Sequence, residues 1–146
     1  MYSYLVEIKI SKKSHFIIAY LPIWVLLILT LGLQYDVGTD YMSYLSIASG
    51  IKSADRMEPL FGFLINIVKR INQPQFIFVF TGLIQVAFLM LIIYEIRKLG
   101  FKIYHFFFLY FTLSLTFFNQ FNGIRQYIAV YIVVFAILKL IDQKSV

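Results

Sequence analysis

The chain has 146 residues and contains no cysteine. It therefore has no disulfide bond, no thiolate nucleophile and no cysteine-containing metal site. Only two histidines are present, His15 and His105. The helices predicted below place both of them far from the acidic residues Asp36, Asp40 and Glu58. We accordingly predict neither a metal site nor a cofactor.

Charged residues are also scarce. They make up 14% of the chain, against about 25% in ordinary globular domains, whereas 61% of the residues are hydrophobic. The charges gather in short clusters separated by uncharged apolar stretches, which is typical of an integral membrane protein. In such a protein the net charge of +6 reports membrane topology, so no nucleic-acid partner is expected.

Four apolar segments are long enough to cross a bilayer, whose hydrocarbon core requires a helix of about 20 residues. These segments are residues 16–33, 76–94, 102–120 and 125–141. The first exceeds the length of a signal-peptide core and is predicted to be a retained span. The sequence thus predicts an all-α, polytopic membrane protein with about four transmembrane helices, forming a single membrane domain over residues 1–146.

Two amphipathic segments lie between the first two spans, at residues 40–49 and 59–72. Pro59 suits the first turn of a helix, and Lys69 and Arg70 lie opposite an apolar face. The first segment is too short to cross a membrane, and the second carries two adjacent cations. We therefore predict two interfacial or re-entrant helices on the outer face.

Lysine and arginine residues set the predicted orientation. Basic clusters occur before the first span, between the second and third, and at the end of the fourth, and cytoplasmic loops carry such an excess. The N-terminus is thus predicted to be cytoplasmic, with residues 34–75 and 119–126 outside. Lys69 and Arg70 oppose this assignment and are attributed to the outer amphipathic helix.

This topology brings three polar clusters to the outer surface: "YDVGTDY", "DRMEP" and "NQFNGIRQ". If Asn122 caps the fourth span, Arg125 lies in its first turn, where the helix dipole disfavours a cation by about 0.3 to 1 kcal/mol. An anion would compensate, so the pattern indicates a phosphate site at Arg125, with Arg56 as a second cation.

The carboxylates have two interpretations. Asp36 and Asp40 would repel each other in one helix, so a turn at Gly38 and Thr39 is predicted, and Asp40 or Thr39 would cap the next helix. Alternatively, Asp40 could deprotonate a sugar hydroxyl while Arg125 stabilises a departing phosphate. Glu58 is a second candidate base.

Two isolated polar residues lie inside the predicted spans. Gln85 is expected to hydrogen-bond to a neighbouring helix, or alternatively to face a substrate cavity. Lys139 is expected to extend its side chain toward the membrane interface.

Three motifs, "YDVGTDYMSY", "EPLFGFLINIV" and "FNGIRQYIAV", resemble in order and spacing those of the EpsG family of Wzy-like exopolysaccharide polymerases. The resemblance implies a glycosyltransferase of the bacterial cytoplasmic membrane. It would join oligosaccharide repeat units carried on undecaprenyl pyrophosphate at the outer face, in exopolysaccharide or capsule biosynthesis. Implied partners are this lipid-linked oligosaccharide, membrane lipid and other polysaccharide-assembly proteins.

The resemblance also implies roles for the matching residues. The implied catalytic residues are Asp40, Glu58 and Arg125. The implied substrate-binding residues are Gly38, Thr39, Tyr41, Asn122 and Gln126. Arg56, the second cation proposed above from the charge pattern, is a further candidate for substrate binding.

Two departures from the family pattern bear on function. Gln34 stands where the family usually has an arginine, and the resemblance covers only the N-terminal part of the family's length. The expectation is an N-terminal portion of a polymerase, active when a C-terminal region completes it. A non-catalytic assembly subunit, an inactive remnant and a transporter or flippase component are the alternatives.

Overall fold

A computed structural model describes residues 13–53, 58–113 and 116–144, and all regular secondary structure in these ranges is helical. The predicted all-helical class is thereby confirmed. The helices, in chain order, are α1 Lys13–Ala19, α2 Leu21–Gly32, α3 Tyr41–Ala48, α4 Pro59–Ile71, α5 Phe76–Lys98, α6 Ile103–Phe108, the π-helical segment Leu109–Leu113, α7 Thr116–Asn119 and α8 Ile124–Lys144.

The first apolar segment forms two consecutive helices, α1 and α2, separated by Tyr20. The interruption coincides with a proline at the start of α2, a position where the missing amide hydrogen is tolerated. Hydrogen bonds nevertheless continue across the junction. The Tyr20 amide donates to the Phe16 carbonyl at 3.1 Å, and the Trp24 amide donates to the Tyr20 carbonyl at 3.1 Å.

Helix α2 packs closely against α5 through two glycines. A Cβ atom added to Gly32 would lie 3.2 Å from the Cα of Val79, and one added to Gly82 would lie 3.1 Å from the Cβ of Leu31. Small residues of this kind let helix backbones approach in membrane proteins. Because Gly32 ends α2 and Val79 lies near the start of α5, the two helices are antiparallel.

Helix α8 also packs on α5, and polar contacts fix both of its ends. The Gln85 amide donates to the carbonyl of Ile124 at 3.2 Å, which confirms the predicted contact with a neighbouring helix. Near the other end, the Lys139 ammonium group lies 2.8 Å from the Glu95 carboxylate. Lys98 also lies 3.0 Å from this carboxylate.

The Lys139 side chain thus pairs with an acid instead of simply extending to the membrane interface. The Glu95 side chain is only 4% exposed, and a buried carboxylate is strongly destabilising unless it is paired. The contact of Lys139 with α5 therefore neutralises the buried carboxylate of Glu95.

The third apolar segment is more broken than its sequence predicted. Helix α6 passes directly into the π-helical segment, and α7 has only four residues. Gln120 follows α7, is fully buried and accepts hydrogen bonds from the hydroxyls of Tyr110 and Tyr131, each at 3.0 Å. These bonds tie the end of the segment to α8.

Two helices in the described ranges are long and apolar enough to cross a membrane, Phe76–Lys98 and Ile124–Asp142. The apolar helices Leu21–Gly32 and Ile103–Thr112 are shorter. A membrane protein is therefore supported, while the number of four spans stays a prediction. Helices α3 and α4 cover the two predicted amphipathic segments.

The close contact of α2 and α5 can be tested at Gly82. Leucine there should lower the free energy of unfolding by about 1 to 3 kcal/mol, because its side chain would overpack the helix crossing. Gly62→Leu is the matched control, since a Cβ atom at Gly62 meets nothing within 4 Å. Thermal unfolding in detergent, followed by circular dichroism, compares the variants. Equal midpoints would contradict the packing described above.

Candidate functional site

The first motif forms a tight turn that contacts the third motif. Gly38 has a φ of +83° and Asp36 a φ of +50°, both in the left-handed region. The Thr39 amide donates to the Oδ1 atom of Asn122 at 2.7 Å. A Cβ atom added to Gly38 would collide with that same Oδ1 atom. Glycine is therefore required both by the turn and by the close approach of Asn122.

The expectation that Asn122 caps α8 is wrong. Helix α8 begins at Ile124, and the Tyr127 amide donates to the Gly123 carbonyl at 2.9 Å. Gly123 is thus the capping residue, since the carbonyl of the N-cap accepts the first bond within a helix. The Asn122 side chain contacts the Thr39 turn instead. Arg125 lies in the first turn of α8, as predicted.

Asp40 occupies the N-cap position of α3, but its side chain makes no capping hydrogen bond. Its backbone has φ −94° and ψ −7°, which differs from the extended conformation typical of a capping side chain. The Thr39 hydroxyl lies 3.4 Å from Asn122 and thus also points away from the start of α3. The capping interpretation of these two side chains is therefore wrong. Asp40 is half-buried, and its carboxylate does not cap the start of α3.

Gln75, which the sequence analysis did not select, holds both ends of the turn. Its amide nitrogen donates to the Gln34 carbonyl at 2.6 Å, and its amide oxygen accepts from the Tyr41 hydroxyl at 2.9 Å. The Tyr41 ring also stacks on Phe78 with centroids 4.8 Å apart. The only sequence signal was a polar residue between Pro74 and an apolar span.

Arg125 is paired with Glu58, which joins the second motif to the third. The Nη1 atom of Arg125 donates to Oε2 of Glu58 at 2.8 Å. The guanidinium carbon also lies 5.8 Å from the Tyr44 ring centroid and 5.5 Å from that of Phe61. Such contacts between a cation and aromatic faces are attractive. Arg125 is thus held by aromatic rings and by one carboxylate.

Glu58 is the more exposed member of the ion pair. Its side chain is 64% exposed, against 30% for Arg125. Hydrogen bonds from its own backbone amide and from Arg125 hold the pKa of Glu58 below its ordinary value. The pair therefore persists at neutral pH, and it weakens only as the pH falls through that lowered pKa. Because Glu58 is exposed, its carboxylate stays in contact with water.

A groove of about 260 Å³ lies between α4 and α8 beside this ion pair. Its lining residues are Glu58, Leu60, Phe61, Leu64, Arg125, Gln126, Ile128, Ala129 and Ile132. The three polar residues among them lie where α4 and α8 begin, and apolar side chains follow along both helices. The groove therefore suits a molecule with a charged head and an apolar tail.

The structure joins several of the predicted site residues in two separate contacts. Gly38 and Thr39 contact Asn122, and Glu58 contacts Arg125. The Gln126 side chain folds back over Gly123, where an added Cβ atom would strike its amide oxygen. Tyr41 points instead toward Gln75.

Arg56 lies outside the described residues. In the part of the chain that the structure describes, no three histidine, aspartate or glutamate side chains form a group that could hold a metal ion.

The helical fold and the two apolar helices suggest a membrane protein, with charged and polar groups gathered at the start of α8. The chain belongs to the EpsG family, whose family model matches residues 16–146. EpsG is a Wzy-like polymerase family, so the predicted resemblance is confirmed, and membership suggests an exopolysaccharide-related role. No match was found among curated proteins or among solved structures.

The contact between the first and third motifs can be tested at Gly38. Gly38→Ala should destabilise the protein by at least about 1 kcal/mol more than Gly100→Ala, since only the first adds a collision to the backbone strain. Gly100 is the matched control because its φ is +85° and a Cβ atom there meets nothing within 4 Å. Adding Asn122→Ala should recover part of the loss. Strictly additive unfolding free energies in the double variant would argue against the contact.

Proposed function

We propose that this protein binds a lipid-linked saccharide through its pyrophosphate at Arg125 and takes part in polymerising oligosaccharide repeat units. The observation that carries the proposal is the position of Arg125, in the first turn of α8 and at the polar end of an apolar groove. Membership of the EpsG family supports the same class of reaction.

The start of α8 has the chemistry of a phosphate site. Backbone amides at the start of a helix lack acceptors within it, and the helix dipole adds positive potential. The Arg125 guanidinium can bind two phosphate oxygens at once. It lies within the same first turn, so these donors act together on one anion.

The groove beside Arg125 supplies a place for the lipid carrier. Leu60, Phe61 and Leu64 line it from α4, and Ile128 and Ile132 line it from α8. An isoprenoid chain is apolar and would displace water or lipid from these side chains. With its pyrophosphate at Arg125, the carrier would thus place its isoprenoid chain in the adjoining groove.

Asp40 is the proposed base. Its carboxylate would accept the proton of an acceptor hydroxyl while the hydroxyl oxygen forms a bond to the anomeric carbon of the donor sugar. The bond from that carbon to the pyrophosphate oxygen breaks, and the lipid pyrophosphate leaves with the bonding electrons. Arg125 would stabilise the charge that develops on this leaving group. Thr39, next to Asp40, is bonded to Asn122, which keeps the base near the start of α8.

Substitutions at Arg125 and Asp40 test these roles in the producing bacterium. Arg125→Ala should abolish polymer formation, and Arg125→Lys should restore little of it because an ammonium group lacks the two-pronged geometry. Asp40→Asn should reduce polymer by about 100-fold or more, the usual contribution of a general base. Asp36→Asn is the matched control on the same turn. Gel analysis of polymer amount and length, alongside immunoblots of membranes, makes the comparison.

Normal polymer lengths in both the Arg125→Ala and Asp40→Asn strains would overturn the site assignment. Loss of the protein from the membrane fraction would instead indicate a structural role for the substituted residue.

The proposed location of the site, at the outer face of the cytoplasmic membrane, can be tested by labelling. The chain has no cysteine, so single cysteines introduced by Ser43→Cys and Phe101→Cys report unambiguously. An impermeant maleimide should label the first variant in intact cells and the second only after permeabilisation, because basic clusters assign these positions to opposite sides. The reverse pattern would contradict the proposed orientation.

A further inference from the structure

We propose that a polar pocket at the end of α4, remote from Arg125, binds one sugar residue of the lipid-linked saccharide. The pocket has a volume of about 220 Å³ and lies between the ends of α3 and α4. Its polar lining residues are Ser49, Lys69, Asn72 and Gln73. The inference rests on the proposed function, to which it adds a second binding site for the same substrate.

The polar side chains of the pocket have hydrogen-bonding capacity that the protein does not use. Among the residues that the structure describes, the side chains of Lys69, Asn72 and Gln73 form no hydrogen bond or ion pair. The Ser49 hydroxyl donates to the Ser46 carbonyl at 3.1 Å, which leaves the lone pairs of its oxygen available as acceptors. The hydroxyl groups of a ligand can therefore replace water on all four side chains.

The charges around the pocket favour a neutral ligand. Lys69 is the one charged residue in the described lining. It lies in the last turn of α4, and a Cβ atom added to Gly50, beyond the end of α3, would lie 3.9 Å from its ammonium nitrogen. A cation there offsets the negative ends of both helix dipoles, so neither an anion nor a second cation is needed. Hydroxyl groups, which both donate and accept, match such a lining.

The size and the depth of the pocket suit a sugar ring. Ala48 and Val68 are almost fully buried and form the inner part of the lining, where the C–H face of a ring can pack. Lys69, Asn72 and Gln73 are exposed and form the rim, where the hydroxyl groups of the ring would lie. Sites for drug-sized molecules measure about 300 to 1,000 Å³, so the smaller volume here suits a single sugar residue.

The position of the pocket fits the proposed substrate. Helix α4 has 13 residues and is therefore about 20 Å long. Its start lies beside Arg125, and its end forms the pocket. A saccharide whose pyrophosphate is bound at Arg125 would thus reach the pocket after several sugar residues.

The pocket also lies on the side of α4 that favours contact with water. Leu60 and Ile71 are exposed apolar residues, and the helical period places both of them nearly opposite Lys69. An amphipathic helix at a membrane surface directs such apolar residues toward the lipid. The side that carries Lys69 then faces the aqueous phase, where the saccharide of a lipid-linked substrate lies.

Binding of a free oligosaccharide tests the inference without the lipid carrier. The probe is one repeat unit released by partial acid hydrolysis from the polymer of the producing strain. It is titrated against the full chain in nanodiscs and followed by NMR. Gln73→Ala and Lys69→Met should each weaken binding about three- to tenfold, the effect of losing one hydrogen bond.

Two exposed residues of α4 that lie outside the pocket provide matched controls. Asn66→Ala removes an amide, as Gln73→Ala does, and Arg70→Met removes a cation, as Lys69→Met does. Neither Asn66 nor Arg70 lines the pocket, so both control variants should change the dissociation constant less than twofold. Thermal unfolding midpoints check that all four variants are folded.

Farnesyl pyrophosphate gives a separate readout for Arg125. Its binding should be lost in Arg125→Ala and unchanged in Gln73→Ala, whereas the oligosaccharide should still bind to Arg125→Ala. No oligosaccharide binding by the unaltered chain, or equal binding by the pocket variants and their controls, would overturn this inference while Arg125-dependent binding of farnesyl pyrophosphate still supports the proposed function. Oligosaccharide binding that depends on Gln73, with farnesyl pyrophosphate binding that survives Arg125→Ala, would support the sugar site and overturn the proposed role of Arg125.

Discussion

The positive charge of Arg125 at the start of an apolar helix is the constraint on which the site depends. A cation there opposes the helix dipole, so a nearby anion or aromatic surface stabilises it. The structure supplies Glu58 at 2.8 Å and the rings of Tyr44 and Phe61. These partners come from α3, from α4 and from the residue before α4, so both amphipathic helices contribute contacts to Arg125 at the start of α8.

Sequence reasoning identified Arg125 at the start of α8 but not its ion pair with Glu58. The placement of basic clusters and the order of the motifs were enough to predict that Gly38, Glu58 and Arg125 would meet on one surface. The pairing of Glu58 with Arg125 depends on how the start of α4 is placed beside the start of α8, and a contact across 67 positions leaves no periodic signal in the chain. Gln75 was missed for the same reason, since its two bonds depend on the folded turn.

The predicted caps failed for a local reason. Asn122 and Asp40 are both good capping residue types, and the sequence could not show that the two segments touch. In the fold, the Thr39 amide donates a hydrogen bond to the Asn122 side chain, and Asp40 adopts a nearly helical backbone conformation. A tertiary hydrogen bond therefore replaced one predicted cap, and helical backbone geometry removed the other.

The all-helical class was predictable because long apolar segments with few prolines leave few alternatives to a helix. The breaks in the third apolar segment were not predictable in this way.

The two ends of α8 differ in a way that favours placing ligand exchange at its start. Near its far end, Glu95 is almost fully buried and lies close to both Lys98 and Lys139, so releasing it would leave a carboxylate without compensation inside the bundle. At its start, the exposed member of the pair is Glu58, which can leave Arg125 and enter water at little cost. A buried, doubly paired charge fixes helix packing, whereas an exposed, singly paired one can be replaced. Only the second arrangement is compatible with repeated binding and release of an anionic ligand.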